Sequence, residues 1–135
     1  MTMEIESLVG QFEAGRAPAG GFHHTQHVQV AWYYLCHYSL PAALDRFREG
    51  LKRFALAQGA PNLYHETITV AYLLLINERL ARPAARDWTT FAEEHADLLL
   101  WKPSVLGRYY TPALLASAQA KRTFLMPDRL VAAGS

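Results

Sequence analysis

"LYHETITVAYLLLINERLA", Leu63 to Ala81, is the stretch on which the fold turns. Its inner run "VAYLLLI" has the composition of a buried strand. The apolar segment around it extends to about 19 residues, far beyond ordinary strand length, and that favours a helix. Apolar residues occupy nearly every face, so the helix belongs at the centre of its domain.

Working outward, the helical period recurs. Ile5, Leu8, Val9 and Phe12 follow i, i+3, i+4, i+7, and Gly15 can close that first helix. "RAPAGG" reads as a loop. A second helix is expected from near His24 to about His37. Ser39 caps a third, with Pro41 tolerated in its first turn, Leu44, Phe47, Leu51 and Phe54 on one face, and Gly59 at its end. Asn62 is the expected cap of the central fourth helix. "RPAAR" breaks the chain. Asp87 caps a fifth helix running from Trp88 to about Trp101. Thr111 and Pro112 open a sixth, ending near Arg122. The sum is an all-α single-domain bundle of five to six helices over 1–128, with a tail at 129–135. No hairpin signal, repeat or low-complexity stretch competes with it.

The bulk numbers narrow the class. A chain of 135 residues suits one domain and needs no disulfide or metal merely to fold. A single cysteine, Cys36, excludes an intrachain disulfide and fits a reducing compartment. Cys36 is expected in the core of the second helix. A net charge of +1 with no basic stripe argues against nucleic acid as a partner. No apolar stretch reaches the roughly 18 residues of a membrane span. The acidic start, "MTMEIESLVG", has no signal-peptide pattern. The expectation is a cytoplasmic protein with a small-molecule partner and no membrane or nucleic acid. Assembly is left open between monomer and homodimer.

Three of the six histidines lie within five positions, in "GGFHHTQHV". His24 and His27 are i, i+3 neighbours, and His23 and His27 are i, i+4, so either pair can grip one ion. All three sit where a helix begins. Positive potential there favours the neutral imidazole, which is the ligand form. The plainer reading is that one histidine packs and the others are solvated. In "YHETIT", His65 and Glu66 are adjacent, and Glu66 suits the positive helix end; here the plainer reading is capping. With short up-and-down loops, helices two and four run parallel, and their N-termini lie at one end of the bundle. A shared site is then expected, with His24, His27, His65 and Glu66 as ligands of one or two ions. In "EEHAD", Glu94 and His95 are further candidates, set about two turns away. His37, at the far end, reads as structural. "WYYL" and "LLLW" read as core stripes. There is no phosphate loop, nucleophile elbow, CxxC or HExxH.

"HHTQHV…AWYYL" and "YHETIT" resemble the "THxxHL…WYL" and "GYHETIT" segments of a bacterial family of small helical proteins. "RYYTPALLASAQAKRTFLMPD" is similar to that family's C-terminal segment, so the resemblance spans most of the chain. It singles out His24, His27, His65 and Glu66, puts His23 at the family's Thr position, and implies no activity. More loosely, "FHHTQHV" is similar to the "YHNxxHI" opening of some HD-superfamily metal hydrolases. "LYHETI" then stands where they have "HD", with Glu66 for the Asp and no clear final Asp. That likeness implies a metal site on helical walls.

The resulting expectation is a metal-dependent enzyme acting on a small anionic molecule. The metal would be Zn, Fe or Mn, serving hydrolase or lyase chemistry or a non-haem oxygenase. Glu66 is a ligand or, in a variant reading, the catalytic general base. The loop "GRYYTP" is expected at the histidine end, with Arg108, Tyr109 and Tyr110 as substrate-binding residues. The alternatives are a noncatalytic metal- or small-molecule-binding protein, and an interaction module whose histidines only pack.

Overall fold

The computed structural model describes residues 4–17, 21–80 and 87–129. Among them there is no strand, and the protein is all-α. In chain order the helices are α1 Ile5–Glu13, α2 His24–His37, α3 Leu40–Ala57, α4 Glu66–Leu80, α5 Trp88–Glu94, α6 Pro112–Leu115 and α7 Ala118–Arg122. Short 3-10 turns stand at Pro61–Leu63, Ala96–Leu99 and Val105–Arg108. The expected break at "RPAAR", residues 130–135 of the expected tail and residues 18–20 of the first loop lie outside the described residues.

α4 is central, packed against α2, α3 and α7. Leu73 and Ile76 are fully buried on it, and Val70, Ala71 and Tyr72 nearly so. Phe12, Val30, Ala31, Tyr34, Phe47, Phe91, Leu98 and Leu106 complete the core around it. Gly50, inside α3, admits the Phe12 ring: a Cβ there would run into that ring. A mid-helix glycine costs about 1 kcal/mol against alanine, and this close approach explains its presence. Gly15 and Gly59 close α1 and α3 at positive φ, +73° and +74°, which other residues rarely adopt.

Several sequence expectations are corrected here. Asn62 does not cap α4; His65 does. Its Nδ1 accepts the backbone N–H of Ile68 at 3.1 Å, and Thr69 N–H bonds back to its carbonyl. α5 stops at Glu94 rather than Trp101. His95 leaves the helical region (φ −127°, ψ 44°), its ring packing on Phe91 and bonding Arg79, so tertiary pairing overrides local propensity. The expected sixth helix is two. Ser117 divides it, donating to Leu114 O while its Oγ accepts the N–H of Ala120. Cys36 is exposed, not in the core, because α2 buries Val28, Ala31, Trp32 and Tyr34 instead. Arg129 is also no loose tail: its N–H bonds Tyr109 O and its guanidinium bonds Gly107 O. No described helix is long and apolar enough to cross a membrane.

After α7 the chain folds back along α4. The hydroxyl of Thr67, fully buried, donates to Thr123 O and accepts from Leu125 N. This strap holds α6 and α7 against the N-terminal half of α4.

Candidate functional site

The first turns of α2 and α4 open on one cavity of about 900 Å³. Its walls are mostly apolar: Phe22 from the first loop, Phe47, Leu51 and Phe54 from α3, Ile68 and Tyr72 from α4. Trp101 and Leu115 close further sides, and His23, His24, His27 and His65 all contribute. A volume near 900 Å³ is at the large end of ordinary small-molecule pockets.

Each histidine has a distinct local role. His23 caps α2. Its side chain accepts the backbone N–H of Gln26, and the Gln26 amide oxygen accepts the N–H of His23 at 2.9 Å. An imidazole thus takes the acceptor's part in a reciprocal cap usually built on Ser or Thr. His24 donates from Nε2 to the carbonyl of Leu98 at 2.9 Å. A carbonyl can only accept, so the proton is on Nε2 and Nδ1 keeps its lone pair. The ring lies edge-on to Tyr72 at 4.7 Å and tilted against Trp101 at 5.1 Å. Burial lowers the His24 pKa, with the Leu98 carbonyl opposing.

His65 has both nitrogens engaged. Nε2–H donates to Leu115 O at 2.7 Å while Nδ1 accepts from Ile68. It ties α4 to α6 and keeps no lone pair for a ligand unless one of those bonds breaks.

His27 is different. Its ring stacks on Phe22 at 4.8 Å and meets Phe12 and Phe54 edge-on. Burial pushes its pKa down to about 4, with the charges of His24 and His23 adding to the effect, so the imidazole is neutral at physiological pH. Its Nε2 is fully buried and has no protein hydrogen-bond partner among the described residues. Most buried polar atoms are satisfied, so this one calls for an explanation.

The remaining sequence candidates lie elsewhere. Glu66 does not line the cavity. Its carboxylate accepts from the Tyr64 hydroxyl and, at 2.9 Å, from Nε and Nη2 of Arg48. Burial raises its pKa, but those two partners outweigh burial and hold it below the ordinary value. Arg108, Tyr109 and Tyr110 do not line the cavity either. Arg108 pairs with Asp97 at 3.1 Å, and Asp97 is held by Arg79 in the last turn of α4. A 15-residue helix is about 22 Å long, so Arg108 stands near the end of α4 opposite to His65. The early stop of α5 redirects this loop. Tyr110 is a plug, buried with its hydroxyl donating to Leu125 O. Tyr109 is half-buried against the core. His95 joins the Arg79 cluster, Glu94 is exposed, and His37 bonds Tyr33 O and stacks on Tyr33.

Among the described residues no group of three or more His, Cys, Asp or Glu is placed to hold a metal ion. Of the described histidines lining the cavity, His24 and His27 each keep a ring nitrogen outside the protein's hydrogen bonds. Sequence reasoning missed Trp101, taken as a core stripe, and Lys121. It also took Phe47, Leu51 and Phe54 simply as a helix's apolar face. That face is in fact a cavity wall, and periodicity cannot tell a packed stripe from one that fronts a void. Comparison with protein-family models, with curated proteins and with solved structures gives no match.

Proposed function

We propose that this protein binds a small, flat, largely apolar molecule in the cavity, with His27 as the buried polar contact that orients it. The observation carrying this reading is the His27 imidazole, which lines the aromatic cavity and holds a buried Nε2 without a protein partner among the described residues. Leaving a buried polar group unsatisfied costs about 1–3 kcal/mol, and a ligand hydrogen bond offsets that. The aromatic walls favour a ring through stacked and edge-on contacts. Binding fits better than general-base catalysis. An imidazole with a pKa near 4 is a weak base at neutral pH, and effective bases sit near the working pH.

The test uses 2-naphthol as a neutral probe. It should raise the melting temperature and bind with measurable heat in calorimetry. Leu51→Trp, which fills the cavity from a half-buried wall position, should abolish binding and leave the helical fold intact. Failure of 2-naphthol and of its carboxylate and amide analogues alike to bind would overturn the reading.

A metal-dependent enzyme at the same place is the second reading, favoured by the same atom. At pH 7 no proton competes for the His27 lone pair, and His24 Nδ1 offers another. Zn, Fe or Mn would then be held by His24 and His27, with His65 joining only on loss of a backbone bond. Elemental analysis decides this. About one equivalent of metal in purified protein, lost in His27→Ala, supports it. Less than about a tenth of an equivalent, with no thermal stabilisation by added ions, counts against it.

A further inference from the structure

Among the described residues lining the cavity, Lys121 is the only one that carries a full charge, and no Asp or Glu takes part. Lys121 is exposed in the last turn of α7, and no ion pair among the described residues involves it. The nearest carboxylate in sequence to the site, Glu66, turns away to Arg48 and Tyr64. The N-terminal ends of α2 and α4, both positive, also border the cavity. Their caps are the imidazoles of His23 and His65; α2 has no acidic residue in its first turn, and in the first turn of α4 Glu66 is paired with Arg48. Among the described residues of the lining, the one full charge is therefore positive.

We infer that the cavity's ligand is an aromatic monocarboxylate, its rings among Phe22, Phe54 and Trp101, its carboxylate held at the rim by Lys121 and a neutral polar substituent left for His27. This rests on the cavity reading above and adds the charge and the cation to it. The role expected of Arg108 in the sequence passes to Lys121, which the strap from Thr67 to Thr123 and Leu125 fixes beside α4. The site takes a single anionic group: among the described residues one cation stands at the rim, and the rest of the lining is apolar or neutral.

The experiment compares 2-naphthoate, 2-naphthamide and 2-naphthylmethylamine by calorimetry at pH 7.5, in the native protein and in Lys121→Gln. The first two have nearly the same shape and differ in charge. 2-Naphthoate should bind about fivefold more tightly than the amide, the scale of one solvent-exposed charge pair, and more tightly still than the amine. The preference should fall below about twofold in Lys121→Gln, with amide affinity unchanged, and shrink in 1 M salt. Equal binding of acid and amide to the native protein would overturn the inference and leave the cavity reading standing. An undiminished preference in Lys121→Gln would also overturn it. Binding of none of the three would remove both.

Discussion

His27 and His95 are both histidines set in aromatic surroundings, and the protein treats them in opposite ways. Around His95 the described Arg and Asp side chains meet complements within the chain. Arg79 reaches His95 Nδ1 at 3.1 Å and both oxygens of Asp97 at 2.9 and 2.8 Å, and Arg108 adds a contact to the same carboxylate. Around His27 there are rings, a cavity and a buried nitrogen without a protein partner among the described residues. One region is a closed structural network and the other is left open on one side. The comparison teaches that residue type did not mark the site. Arg, Asp and His at the far end of α4 look more like chemistry, yet they satisfy one another.

The largest expected effect breaks the closed region. Arg79→Ala removes a two-pronged pair and strands Asp97 beside a buried His95. The Arg79 side chain is 12% exposed and that of Asp97 30%. Losing one partner of such a pair should cost about 3 kcal/mol, at the low end for buried pairs. Urea denaturation measures this, and 2-naphthol affinity should not change. A loss under about 1 kcal/mol would mean that this region is not held by its network.

The next effect sharpens the open region through pH. The His27 pKa falls from an ordinary 6.5 when unfolded to about 4 when folded. Between those values the unfolded chain binds a proton that the folded one refuses. Stability is therefore fully present above pH 6.5 and lost as pH falls toward 4, by up to about 3 kcal/mol. His24, also depressed, adds in the same direction. His27→Phe should flatten most of this slope. An equally steep slope in His27→Phe would place its origin elsewhere.

The extent to which the sequence disclosed this arrangement follows from what each residue depends on. The bounds of α2, the Ser39 and Asp87 caps and the central position of α4 rest on local chemistry and periodicity, and all were legible. So was the meeting of the α2 and α4 N-termini, because short loops force it. The three-dimensional partners of Glu66 and Arg108 were not. Arg48 lies 18 residues from Glu66 and Asp97 11 residues from Arg108, and no spacing rule joins them. The cavity was also hidden, since an apolar stripe such as Phe47, Leu51 and Phe54 looks alike whether it meets another helix or a void.

The smallest effect belongs to the residue that the sequence made most attractive. The Arg108 side chain is 58% exposed and shares Asp97 with the better-buried Arg79. Arg108→Gln should cost less than about 1 kcal/mol in denaturation and leave 2-naphthoate affinity within twofold of the native protein's. A tenfold loss of affinity would bring Arg108 back to the site.

The central claim is that His27, in the cavity wall, holds a neutral ring nitrogen without a protein partner among the described residues, while both ring nitrogens of His65 are already committed. Long-range proton–nitrogen NMR of the imidazole rings at pH 5.5, recorded as 2-naphthol is added, tests this most directly. His27 should be neutral at that pH, and its Nε2 resonance should move as the probe saturates. The resonances of His65, locked between Leu115 and Ile68, should stay fixed. A His27 that is already protonated at pH 5.5, or one whose Nε2 ignores a bound probe, would contradict the account.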